Sequence, residues 1–310
     1  MDAQLAEFYK ERNALLRTAV PKDMEQFLLE WQKKMSGQEN SPAWIGVTHE
    51  LGLFYRTLGH YDQSIRELEQ VGRVLSRKKG LAYISLLNNL AGTYRQAGDP
   101  QGAIGLFQEA IDLCRRQKQM NVSVCASLYS NLAQCYQETE QWEEAVDALE
   151  RSLEYLKLAG RGSELGLGYH NLALLYRKLG DRAAMQECVD RALTWYERPV
   201  EELQPRDALA LNGLGGLLYQ EKQYGRAAEV YDRAARCIRH FSGKNHAYAV
   251  GRQHEAWALR SAGRLEEAEQ ALREAETICE GLYGRQNEKV QAVIDELEQL
   301  QQLLHRQKGG

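Results

Sequence analysis

Apolar residues along this chain recur at intervals of three and four, the spacing that lines one face of an α-helix, and no alternating run of the strand type interrupts them. The helical pattern is itself periodic. The segments HELGLFYRTLGHYDQSI, NNLAGTYRQAGDPQGAI, SNLAQCYQETEQWEEAV, HNLALLYRKLGDRAAMQ, NGLGGLLYQEKQYGRAA and HEAWALRSAGRLEEAE align on a leading position held by Leu51, Leu90, Leu132, Leu172, Leu214 and Glu255, at spacings of 39, 42, 40, 42 and 41 residues. A period near forty with a turn inside each unit predicts a two-helix hairpin repeated six times.

Each conserved feature of the unit has a packing reason. The small residue after the leading position (Gly52, Ala91, Ala133, Ala173, Gly215, Ala256) lets the second helix approach to the usual axis separation of about 8–10 Å. A second small position (Ser64, Ala103, Ala145, Met185, Ala227, Ala268) and a third (Val71, Ala110, Ser152, Ala192, Ala234, Ala275) share one stripe of the second helix. Between them stand the larger Leu68, Phe107, Leu149, Val189, Tyr231 and Leu272, which fill the space between neighbouring hairpins. Gly59, Gly98, Gly180 and Gly263 fall where the first helix must end in a left-handed cap, and Glu140 and Lys222 hold that place in the other two repeats. Gly80, Gly160 and Gly162, Pro199 and Pro205, Ser242 to Asn245 and Gly284 to Asn287 mark the breaks between repeats, so twelve core helices are predicted.

Residues 2–36 read as two further helices, the second opening at Pro21 with an apolar face of Met24, Leu28 and Trp31 at second-helix spacing, as in a degenerate zeroth repeat. At the other end Glu288 to Leu304 is amphipathic and predicts a polar-faced capping helix, followed by a disordered tail ending in Gly310. The organisation expected is 1–40 for the N-terminal helices, repeats at about 41–79, 80–120, 121–161, 162–203, 204–244 and 245–284, and 285–310 for the cap and tail.

Composition narrows the function classes. The 39 basic and 43 acidic residues are interspersed, leaving a net charge of −4 and no basic arm or stripe, so neither nucleic acid nor a membrane surface is the expected partner. No stretch approaches the roughly 20 apolar residues that span a bilayer, and the opening MDAQLAEFYKERN lacks the apolar core of a signal peptide, which points to the cytoplasm. The six cysteines form no CxxC pair and sit within helical patterns, as buried free thiols would. Histidines show no HExxH spacing, the glycines build no GxGxxG or GxxxxGK[ST] loop, and no GxSxG elbow exists, so no enzyme, cofactor or metal site is expected. His49 with Glu50, or His254 with Glu255, would point about 100° apart as helix neighbours. Trp44, Trp142, Trp195 and Trp257 read as packing residues, with Trp257 also placed to touch a ligand.

The repeat resembles the tetratricopeptide family, and its 40 to 42-residue length is similar to the longer kinesin-light-chain type, over roughly Ser41 to Gly284. The NNLA and SNLA strings (Asn88 to Ala91, Ser130 to Ala133) and the linker FSGKNHAYAV carry that likeness most closely. Three departures stand out: the family's Pro after the second helix is missing, Met185 replaces a small residue, and Glu255 replaces a Leu. The resemblance implies an all-α, right-handed α-α superhelix whose first helices line a concave groove. Two before the leading position come His49, Asn88, Ser130, His170, Asn212 and Gln253; one before come Glu50, Asn89, Asn131, Asn171, Gly213 and His254; five after come Arg56, Arg95, Gln137, Arg177, Tyr219 and Arg260. Amides match the donors and acceptors of an extended peptide, as Asn does in the family, and a row of arginines forks onto carboxylates. The function expected is a scaffold or adaptor that captures another protein or peptide segment, an acidic one by the arginine row. Two alternatives are a regulatory sensor similar to bacterial peptide-pheromone receptors and a homo-oligomer assembled through the terminal helices.

Overall fold

The computed structural model describes residues 2–16, 20–117 and 119–308. Among these are fifteen α-helices and no strand. The chain divides into two compact units, residues 1–160 and 161–310.

The first unit holds α1 (Ala3–Leu15), α2 (Pro21–Lys34), and the hairpins α3 (Pro42–Thr57) with α4 (Tyr61–Leu75), α5 (Leu81–Gln96) with α6 (Pro100–Arg115), and α7 (Val122–Glu138) with α8 (Trp142–Leu158). Starts follow local chemistry: Pro21, Pro42 and Pro100 occupy first positions, where no amide hydrogen is needed, and Ser41, Asp99 and Asn121 accept from the amides of Trp44, Gly102 and Val124. The predicted stripes are the core. Leu51, Leu68, Ala91, Phe107, Ala133 and Leu149 are all buried, and the two polar members of the small stripe are satisfied, Ser64 against the Thr93 hydroxyl at 3.4 Å and Ser152 by donating to the Ala126 carbonyl at 2.8 Å. Phe8 of α1 packs edge-on against Trp31 of α2 at 5.5 Å, with Met24 and Leu28 buried beside it as the sequence pattern requires.

The second unit holds α9 (Gly162–Leu179) with α10 (Arg182–Tyr196), α11 (Asp207–Gln220) with α12 (Tyr224–Ser242), α13 (His246–Ser261) with α14 (Leu265–Tyr283), and α15 (Glu288–Lys308). Met185 is buried, so a long flexible side chain fills the place of a small one. Glu255 is also buried, held by Arg252, which in turn reaches Asp232 at 3.4 Å and Glu274 at 3.1 Å. The helix α15 buries Val290, Val293, Leu297, Leu300 and Leu304. It continues to Lys308, four residues past the predicted end; of the tail expected to be disordered, Gln307 and Lys308 are helical, and Gly309 and Gly310 lie outside the described residues.

Glu140 and Lys222, which hold the turn position in the third and fifth hairpins, adopt the same left-handed geometry as the glycines of the other four. Their φ angles are 57° and 61°, beside 77°, 89°, 78° and 78° for Gly59, Gly98, Gly180 and Gly263. The turn geometry is therefore imposed by hairpin packing, and two side chains accept the left-handed cost of about 1–2 kcal/mol. No helix among the described residues is long and apolar enough to cross a membrane.

Candidate functional site

The candidate positions lie on the first helices of the hairpins. In the first unit they form a ladder linked by hydrogen bonds. Asn131 on α7 donates to the Asn88 side chain on α5 at 2.9 Å, and Asn89 meets His49 Nε2 on α3 at 3.0 Å. These contacts span 43 and 40 residues of sequence, one repeat each, so the repeat length itself brings polar side chains of neighbouring hairpins together. Burial, and then the nearby Arg56, push the His49 pKa down, which favours a neutral ring as the partner of the amide. Glu50 pairs with Arg12 at 3.0 Å; its pKa is raised by burial, against the opposing pull of that guanidinium.

The arginines do not form the open row that the sequence suggests. Arg56 donates to the Asn89 carbonyl at 3.2 Å, Arg95 pairs with Glu138 at 2.6 Å, and Arg177 lies 4.0 Å from Glu221. In the second unit Arg260 is exposed and has no carboxylate within ion-pair distance among the described residues. Each of the first three is engaged by a residue one repeat further on, a partner that a reading within single repeats cannot see.

The second unit departs further. His170 is buried, with neither ring nitrogen hydrogen-bonded among the described residues, and burial pushes its pKa down. It fits because Gly213 of α11 has no side chain: a Cβ there would stand 2.5 Å from the ring. His170 is thus a packing residue beneath the face and does not line it. Asn212 also has its side-chain oxygen buried without a donor, whereas Asn171 is half-buried. His254 lies between the Tyr231 ring at 5.3 Å and the Trp257 ring at 5.1 Å, and burial lowers its pKa. Trp257 keeps 43% of its surface exposed and donates its indole hydrogen to Glu296 of α15 at 3.0 Å.

What the sequence reading missed is an apolar lining. Leu167 and Leu209, five before the leading positions, and Leu174, two after, are 39%, 76% and 39% exposed. Offsets of −5, −1 and +2 fall within about 60° around a helix axis, so these leucines share the face of Asn171 and, in register, of Trp257. The corresponding residues of the first unit are Gly46, Ser85 and Ser127, and Leu53, Gly92 and Gln134. Extending the register by one turn in each direction would have found the contrast.

Comparisons with known proteins agree with this architecture. The sequence matches the Tetratricopeptide repeat family over residues 45–116, 124–198 and 206–281, and a second Tetratricopeptide repeat profile covers residues 170–239. Among solved structures, the apo form of RapI superposes with a TM-score of 0.62 at 12% identity, over 89% of this chain and 97% of that one. A Rap protein complexed with competence and sporulation factor gives 0.55 at 16% identity, over 98% and 86%. BtubC (BKLC) from P. vanneervenii gives 0.57 at 21%, over 74% and 92%. Of curated proteins, response regulator aspartate phosphatase E of Bacillus subtilis is 28% identical over 105 residues, 34% of this chain and 28% of the relative. The human protein O-mannosyl-transferase TMTC1 is 21% identical over 214 residues, 61% of this chain and 22% of the relative, so the chain spans less than a third of either.

Proposed function

The chain belongs to the tetratricopeptide repeat family, and on that premise we propose that it is a binding scaffold which holds an extended peptide, or a partner's tail, along the first-helix face of its second unit. The observation that carries this reading is the uncovered apolar set Leu167, Leu174, Leu209 and Trp257, on helices whose other faces are packed. Large aliphatic and aromatic side chains on one face beside an amide are the ingredients of peptide recognition, the apolar residues taking side chains and the amide taking backbone groups. The solved Rap complex with competence and sporulation factor supports the choice of a peptide as ligand class by likeness of fold. In this reading the partner is apolar before it is acidic, because Arg95 and Arg177 face carboxylates within the array and Arg56 of the first unit is held on a backbone carbonyl, which leaves Arg260 as the second-unit arginine of the row without an ion pair among the described residues. The activity is recognition with no chemical step: His49 bonds an amide, His170 is buried and His254 sits tilted between two aromatic rings.

Panning the purified chain against a displayed library of random twelve-residue peptides tests this. Enriched peptides should carry two or more apolar anchors, and Leu174→Glu with Leu209→Glu should weaken them at least tenfold while the far-UV spectrum is unchanged. Peptides that bind the double variant equally well would move the site off this face.

A further inference from the structure

A cavity of about 470 Å³ lies between the end of α1, the start of α2 and the second half of α3, in the first unit. The repeat register does not anticipate it, because it depends on where the two N-terminal helices pack. Its walls include Leu16, Val20, Met24, Leu28, Leu53 and Phe54. Met24 and Leu28 are buried, whereas Leu16 and Val20 are 57% and 58% exposed. The helix α1 is fixed to its neighbours near its other end, where Leu5 takes the space beside Gly46 and Phe8 meets Trp31.

Among the described residues, the charged side chains that also line the cavity are Arg12, Glu50 and Arg56. Arg12 and Glu50 neutralise one another at 3.0 Å. Arg56 has no carboxylate within ion-pair distance among the described residues; it is half-buried and donates to a backbone carbonyl. Neighbouring His49 adds no charge, because burial and Arg56 both favour its neutral form. Among the described residues, a mostly apolar chamber of ligand-site size therefore carries the uncompensated, partly desolvated positive charge of Arg56. A guanidinium in that setting needs an anion with paired acceptor oxygens.

We infer that this cavity binds a small monoanionic amphiphile, a carboxylic acid with an aliphatic body, its chain among Leu16, Val20, Met24 and Phe54 and its carboxylate on Arg56. The site belongs to the terminal helices of the first unit and is independent of the peptide face of the second, so either proposal can fail alone. Calorimetric titration of the full chain with decanoate, kept below its micellar range, tests it. Decanoate should bind saturably at one site, Arg56→Gln should weaken it at least tenfold, and decylammonium should show no saturable binding. Val20→Trp, a substitution at the exposed rim that fills the chamber and touches no charge, should abolish decanoate binding while thermal midpoint and helicity stay as in the parent. The inference is overturned by the absence of saturable decanoate binding, by unchanged binding to Val20→Trp, or by decylammonium binding as tightly as decanoate.

Discussion

In the fifth hairpin Gly215 of α11 lies against the ring of Tyr231 on α12. A Cβ at residue 215 would stand 2.8 Å from two ring carbons and 3.0 Å from a third, and Tyr231 is 8% exposed, so the ring has little room to retreat. Gly215→Ala therefore sets two effects in opposition. Removing a mid-helix glycine contributes about 0.5–1 kcal/mol, largely through the reduced freedom of the unfolded chain. Forcing a methyl group into a filled contact costs about 1–3 kcal/mol. The second effect wins, and the expected net loss is about 1 kcal/mol. Sister hairpins supply the control, since Ala133 with Leu149 and Ala256 with Leu272 occupy the same two positions and all four are buried. Tyr231→Leu reproduces their arrangement, and in that background Gly215→Ala should stabilise by about 0.5–1 kcal/mol. Urea unfolding of the four proteins, followed by far-UV ellipticity and compared at equal m-values, reads the coupling, expected near 2 kcal/mol. If Gly215→Ala acts with the same sign and size in both backgrounds, the argument that the small position is set by the approach of the second helix is wrong.

Three further outcomes are expected. Lys222 is exposed with a φ of 61°, so Lys222→Gly should raise stability by up to about 1 kcal/mol; a lower thermal midpoint would show that its side chain makes a contact worth more than the backbone strain. Burial raises the Glu255 pKa to about 7 from the ordinary 4.5, with Arg252 opposing and Asp232 adding to the rise, so the folded chain holds this proton more tightly than the unfolded one. The stability it contributes is complete below about 4.5 and lost as pH rises through 7, and Glu255→Gln should flatten the fall measured by urea unfolding between pH 5 and 7.5; parallel pH profiles for the two proteins would remove Glu255 from that account. All six cysteines are buried free thiols, and burial pushes Cys125 up to about 12 and Cys135 and Cys237 up to about 11. A disulfide thiol reagent at pH 8 should label none of them in the folded protein and all six in urea, and fast labelling of any one without denaturant would refute the burial assigned to it.

The repeat frame was legible because helix periodicity, capping residues and small-large alternation are local signals that return at each period. Leu51 with Gly52 and Leu132 with Ala133 announce the same hairpin wherever they occur, and all four are buried as that announcement requires. Met24, Leu28 and Trp31 identified the α2 core face for the same reason. Tryptophan 257 was legible as a surface aromatic, but its bond to Glu296 was not, because that partner belongs to the following helix. His170 was misplaced onto the open face because its own repeat offers no hint that Gly213, one repeat later, leaves a space for its ring.

By itself, then, the sequence determined the helices, their pairing into hairpins and the residues that pack between them. Each of these follows from side-chain size and polarity at spacings of at most about twenty residues, where helix geometry fixes which positions meet. Only the tertiary structure decided which charges on the first helices are already neutralised, which histidine is buried, which leucines stay uncovered and where the N-terminal helices leave a cavity. Those outcomes depend on contacts such as Arg56 with Asn89, Arg95 with Glu138 and Arg12 with Glu50, separated by 33, 43 and 38 residues, and the energy of a charge or a cavity is set by whatever stands across that gap.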